Sequence, residues 1–175
     1  VYVDGAGQVF ANVNTTTPLT ISNPFYFETA NSTTFKSAGS AAAPGVNYSG
    51  DWQLAAGVNT IDKSTTTSYT LISGAITGTG SSLVLSDTGT LTLSGANSYD
   101  GSTTVSGGTV KLGAAGTIAN TSQVIMSGGT LNPDGFDQNM GSTTFKLSAA
   151  ATLDYGAGAS EVDFADSSAV AWSGP

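Results

Sequence analysis

Apolar and polar positions alternate in short bursts along the whole chain, and glycine or another turn-forming residue closes each burst. The clearest are Ser82-Leu83-Val84-Leu85-Ser86, Thr90-Leu91-Thr92-Leu93-Ser94, Thr109-Val110-Lys111-Leu112 and Gln123-Val124-Ile125-Met126. In the second, Leu91 and Leu93 face one side while Thr90, Thr92 and Ser94 face the other, as a pleated strand requires. The first half has similar units richer in aromatics: Thr20-Ile21, Phe25-Tyr26-Phe27 and Trp52-Gln53-Leu54. No helical period runs through any segment; Glu, Lys and Met are scarce, and the β-branched Thr and Val are abundant. Pro18, Pro24, Pro44 and Pro133 fall in or beside connecting segments, where a missing ladder donor does least harm. The pattern predicts an all-β chain.

Internal repetition narrows the architecture. Ser106-Gly107-Gly108-Thr109-Val110 recurs as Ser127-Gly128-Gly129-Thr130-Leu131, and Gly101-Ser102-Thr103-Thr104-Val105 recurs as Gly141-Ser142-Thr143-Thr144-Phe145. The second spacing is about twice the first. Each unit holds two or three strands too short for a sandwich but suited to the rungs of a parallel β-solenoid, whose core forms by stacking. With ~20 residues per rung and ~4.8 Å between rungs, residues 1–175 form a single solenoid domain of about eight or nine rungs, roughly 40 Å long. Leu91, Leu93, Val105, Val110, Leu112 and Val124 are the expected inward residues, and Asn97 and Asn120 are corner residues suited to stacked amide ladders. An up-and-down sandwich is the competing architecture.

Composition then removes most chemistry. Ser and Thr make up 49 of the 175 residues, Gly another 23, and charged residues only 9%. There is no Cys, His or Arg, so the chain lacks the parts of a Ser-His-Asp or Cys-His nucleophile, of an ordinary zinc, haem or iron–sulfur site, and of a bidentate phosphate clamp. A net charge of −8 argues against nucleic acid as a partner. No apolar run approaches the ~20 residues of a membrane-spanning helix, so membrane insertion is not expected. The chain begins at Val1 without a signal peptide, which reads as a processed or excised piece of a longer precursor. The absence of Cys fits an exported bacterial protein and a cytosolic one equally, but a Ser/Thr/Gly/Asn-rich, charge-poor surface favours an extracellular setting.

Four groups of residues are candidate sites. Glu161, Asp163 and Asp166, and separately Asp134 and Asp137, are acidic clusters; alternation puts Glu161 and Asp163 on one face, as a calcium site would need, but neither cluster matches an EF-hand or the Gly-Asp nonapeptide of calcium-binding β-rolls. A solvated acidic face is the simpler reading. Carboxylate pairs suited to glycoside cleavage arise by chance among twelve scattered acids. Phe25, Tyr26, Phe27, Trp52, Tyr69, Tyr99 and Trp172 offer either sugar-stacking platforms or core filling, and core filling is the default in a solenoid. Thr15-Thr16-Thr17, Thr65-Thr66-Thr67-Ser68 and the N-x-Ser/Thr triplets at Asn14, Asn31, Asn47 and Asn120 are candidate glycosylation positions or plain polar surface.

The run from Gly89 to Leu112, GTLTLSGANSYDGSTTVSGGTVKL, resembles the autotransporter-associated β-strand repeat. Gly89, Leu91, Leu93, Gly95, Asn97, Tyr99, Gly101, Thr103, Val105, Gly108 and Val110 occupy its pattern positions, with Val110 in place of the commoner Leu. Leu71–Gly80 is similar to a rung that often precedes this repeat, and Phe164–Gly174 to a segment near the C-terminal region of large secreted repeat proteins. The resemblance implies a right-handed parallel β-helix, extracellular or on the cell surface of a Gram-negative-type bacterium. It implies no particular activity.

Exposed solenoid ends invite strand pairing with another chain. Segments Val1–Ala11 and Ala169–Trp172 read as uncapped strands, suited to head-to-tail stacking that does not close and so builds a filament. The leading reading is therefore a structural, non-enzymatic protein without cofactor or metal. Its partner is itself, through an assembly interface at Val1, Tyr2, Val3, Val9, Phe10, Val170 and Trp172. The alternative is a passenger-type adhesin module that contacts glycans or extracellular polysaccharide.

Overall fold

The computed structural model describes residues 2–3, 7–12, 19–29, 32–38, 45–63, 70–118, 123–140, 144–156 and 161–165. Within them the chain makes repeated circuits of short strands. First come β1 (Tyr2–Val3), β2 (Gly7–Asn12) and β3 (Leu19–Ile21), then β4 (Phe25–Phe27), β5 (Ser32–Ala38) and β6 (Val46–Tyr48). Next are β7 (Trp52–Gln53), β8 (Gly57–Lys63) and β9 (Thr70–Ile72), followed by β10 (Ile76–Thr77), β11 (Ser81–Asp87) and β12 (Thr90–Leu93). The later circuits hold β13 (Thr103–Val105), β14 (Thr109–Leu112), β15 (Gln123–Met126), β16 (Thr130–Asn132), β17 (Gln138–Met140), β18 (Thr144–Leu147), β19 (Thr152–Leu153) and β20 (Val162–Phe164).

These strands stack into three faces of a parallel β-solenoid. The first face carries β1-β4-β7-β10 and, further along, β17-β20; the second runs β2-β5-β8-β11-β13-β15-β18; the third runs β3-β6-β9-β12-β14-β16-β19. Every ladder is parallel, and no helix occurs among the described residues. Because a parallel ladder sets each residue beside its counterpart one circuit away, the alternation within each strand becomes columns along the axis.

The eight or nine rungs expected from the length are not confirmed: the second and third faces are each seven strands deep. The circuits are longer near the start than the sequence spacing implied. Register advances from Tyr26 to Gln53 and from Trp52 to Ile76, but only from Leu83 to Thr103 and from Thr103 to Val124 in the later circuits. The 21-residue spacing visible in the sequence belongs to the later circuits alone.

The core is the set of inward columns. On the third face Leu19, Val46, Thr70, Leu91, Val110, Leu131 and Leu153 form one column. On the second, Ile61, Leu85, Val105, Met126 and Leu147 form another. Leu91, Leu93, Val105, Val110, Leu112 and Val124 are all buried, in the positions the alternation assigned them. Each such side chain contributes about 1.5–3 kcal/mol by leaving water. The longer early circuits enclose bulkier groups: Trp52 lies 5.1 Å from Phe25, 5.6 Å from Phe27 and 5.7 Å from Tyr48, ring centre to ring centre.

Corners are held by repeated devices. Ser106, Ser127 and Ser148 each donate both the backbone N–H and the hydroxyl to the carbonyl one circuit back, on Leu85, Val105 and Met126 respectively. At another corner Gly50, Gly74 and Gly95 stack so closely that a Cβ on Gly95 would overlap the carbonyl oxygen of Gly74, and one on Gly74 that of Gly50. Asp51 and Asp137 stand just before β7 and β17. Each accepts the N–H of the residue before the next strand on that face, from Ala75 and Glu161, at 2.9 Å.

Candidate functional site

The residues expected to form the assembly interface fall at the ends of the ladders, and the expected amide corner falls on the first face. At the starting end, Tyr2 and Val3 form β1 and pair with β4, while Val9 and Phe10 lie in β2 and pair with β5. These are the outermost strands of their ladders. Val1, Val170 and Trp172 lie outside the described residues. At the other end the outermost described strands are β18, β19 and β20.

Leu19 and Leu153 close the two ends of one column. The five residues between them are buried, whereas Leu19 is 39% exposed and Leu153 half-buried. Around Leu153 an apolar groove of about 190 Å³ is lined by Met126, Phe145, Leu147, Ala151 and Thr152. Phe145 packs its ring 4.9 Å from that of Phe164. The sequence pattern flagged neither leucine, because Leu19 stands directly after Pro18 at the edge of a weak alternation and Leu153 in a strand of only two residues.

The first face lacks strands where Asn97–Tyr99 and Thr117–Ile118 pass, and side-chain amides supply the missing bonds. Asn97 Oδ1 accepts from Ile76 N at 2.8 Å, and its Nδ2 donates to Thr117 O at 2.6 Å. Gln138 Oε1 accepts from Thr117 N at 2.9 Å, and its Nε2 donates to Ala114 O at 2.7 Å. Asn97 was expected to stack on another asparagine; it bonds to backbone on both sides instead. Asn120, its expected counterpart, lies outside the described residues.

The aromatics expected in the core divide clearly. Phe25, Phe27, Trp52 and Tyr99 are buried and Tyr26 is exposed, while Tyr69 and Trp172 lie outside the described residues. Burial pushes the Tyr99 phenol up to about 12, partly opposed by its 2.6 Å hydrogen bond with the Thr103 hydroxyl. Burial alone raises Tyr48 to about 12. Two exposed aromatics, Phe136 and Tyr155, were not anticipated.

Glu161 and Asp163 are exposed on either side of half-buried Val162, as alternation implied. Together with Asp137 and Asn139 they line a shallow hollow of about 240 Å³. No group of three carboxylates placed to hold a metal ion occurs among the described residues. Asp134 instead pairs with Lys111 at 3.0 Å, an exposed ion pair worth less than about 1 kcal/mol. Asp166 lies outside the described residues. Of the N-x-Ser/Thr triplets, only Asn47 is described, and its Oδ1 accepts from the Ser73 hydroxyl at 2.8 Å.

The fold is that of a parallel β-solenoid, and its middle circuits bear a known signature. Residues 83–112 match the passenger-associated-transport-repeat family, in agreement with the resemblance borne by Gly89–Leu112. That family implies a secreted or surface location and fits a passenger-type β-helix domain. No curated protein and no solved structure matches the chain.

Proposed function

We propose that the chain is a structural extracellular protein of a Gram-negative-type bacterium, a non-enzymatic solenoid whose copies join end to end into a fibre or matrix layer. The observation that carries this reading is the column from Leu19 to Leu153, buried at its five inner positions and, among the described residues, 39% exposed at Leu19 and half-buried at Leu153. Setting Leu153 of one copy beneath Leu19 of the next continues the column and gives the edge strands ladder partners. Both contacts recur at every joint, and because the two ends are different surfaces the assembly does not close. The passenger-repeat match supports the extracellular placement.

Sedimentation of the purified chain, with electron microscopy of the same sample, tests the joint. Concentration-dependent filaments that Leu19→Glu and Leu153→Glu each abolish are the expected result. Single rods at high concentration overturn the proposal, as do filaments that both variants still form.

A further inference from the structure

One corner of the rod presents aromatic rings to solvent on consecutive circuits. Phe136 follows β16 and Tyr155 follows β19, the ladder partner of β16, and each is 40% exposed. The segment carrying Phe136 is a stiff turn: Asp134 has φ 53°, Gly135 has φ 86°, and Phe136 N donates to Pro133 O at 2.9 Å. Such a turn holds its end residues within about 7 Å of each other. Asp154 N donates to Leu131 O at 2.9 Å, which continues the β16–β19 pairing to the residue before Tyr155, and paired strands lie about 4.8 Å apart. The two rings therefore spring from anchored backbone on adjacent rungs, a separation an oligosaccharide can span.

Polar groups of the same two segments are also fixed. Asn132 Oδ1 accepts from Asp134 N at 2.7 Å, and its Nδ2 donates to Asp154 Oδ2 at 3.2 Å. Asp154 Oδ1 accepts from Gly156 N at 2.9 Å. One residue beyond Phe136, at Asp137, begins the hollow that also holds Asn139 and Asp163.

We infer that this corner binds a neutral pyranose oligosaccharide. A pyranose ring has an apolar C–H face that stacks on an aromatic ring, and an edge of hydroxyls that donate to carboxylates. The corner offers both, on backbone that needs no ordering to bind. Its carboxylates repel uronate or sulfated sugars, so the fitting ligand carries no acid group. Tyr155 follows β19, the outermost described strand of its face, and so borders the proposed joint, but binding uses only the two rings and their anchored backbone and does not rest on that joint.

Calorimetric titration of the full chain with a pentamer of N-acetylglucosamine and a β-1,3-linked glucose pentamer tests this, with a galacturonate oligomer as the acidic probe. The expected result is saturable binding of at least one neutral pentamer and none of the galacturonate. Phe136→Leu and Tyr155→Leu, which keep apolar bulk but remove the ring, each weaken binding about tenfold while leaving the urea unfolding curve in place. Absence of saturable binding by both neutral pentamers overturns the inference. So does binding that both leucine variants retain, or galacturonate binding of equal strength.

Discussion

Asn97 and Gln138 hold the same residue from opposite sides: Asn97 donates to the carbonyl of Thr117, and Gln138 accepts its N–H. Two side chains thus carry the ladder across the part of the first face where β10 and β17 are not bridged by strands. Thr117 and Ile76 are buried, so neither has water to fall back on. Asn97→Ala leaves Ile76 N–H and Thr117 C=O each short of a partner, at a cost of about 3 kcal/mol. Urea unfolding measures it. Asn97→Asp is expected to be no better, since it loses the donor and sets a carboxylate against the Thr117 carbonyl.

The glycine column predicts a clash that a strained position elsewhere does not. Gly95→Ala drives a methyl into the Gly74 carbonyl, and backbone cannot step aside, so a loss of about 3 kcal/mol follows. Gly116 has φ +65° but open space around it, so Gly116→Ala meets only the left-handed backbone cost of about 1 kcal/mol. Thermal unfolding of the two variants side by side separates clash from strain. Equal losses contradict the packing described.

Trp52 is the hub of the early circuits, touching Phe25, Phe27 and Tyr48. Trp52→Ala is expected to cost about 4 kcal/mol, whereas Trp52→Phe keeps part of the packing and costs less. Differential scanning calorimetry gives both numbers. A near-neutral Trp52→Ala shows that the early circuits are not packed around this ring.

Alkaline pH titrates the buried phenols. Tyr48 and Tyr99 ionise near pH 12 in the folded chain and near pH 10 once unfolded, so folding holds their protons. Their contribution is complete below about pH 10 and is lost as pH rises through about 12, by roughly 3 kcal/mol per tyrosine. The urea midpoint should fall across that window, and less steeply in Tyr48→Phe and in Tyr99→Phe. A midpoint that stays level from pH 10 to 12 contradicts the burial.

The all-β class and the inward set from Leu91 to Val124 were legible because period-two alternation has one structural solution when strands are short and repeated. The solenoid followed from the recurrence of Ser106–Val110 at Ser127–Leu131. The length of the early circuits was hidden, because no motif repeats between Phe25–Phe27 and Trp52–Leu54 to set a ruler. The role of Asn97 was half visible: its corner position was plain, but its partners, the backbone of Ile76 and Thr117, are not named by any side-chain pattern. Phe136 escaped notice although the Asp134-Gly135 pair before it is a turn signal. Exposure of an aromatic after a turn depends on the direction in which the chain leaves, and composition does not encode that.

The difference in circuit length also divides the chain by how it tolerates gene duplication. From Leu83 to Leu147 each circuit has nearly the same perimeter and a mainly aliphatic filling, with Tyr99 the one fully buried ring among the described residues, so copying one 21-residue unit inserts a rung of matching size. The aromatic circuits around Trp52 have no such interchangeable neighbour. A unit copied from the later part into the earlier would leave the rings facing a gap, and one copied the other way would not fit inside. Inserting or deleting a 21-residue unit is thus expected to be tolerated in the later circuits and not in the aromatic ones.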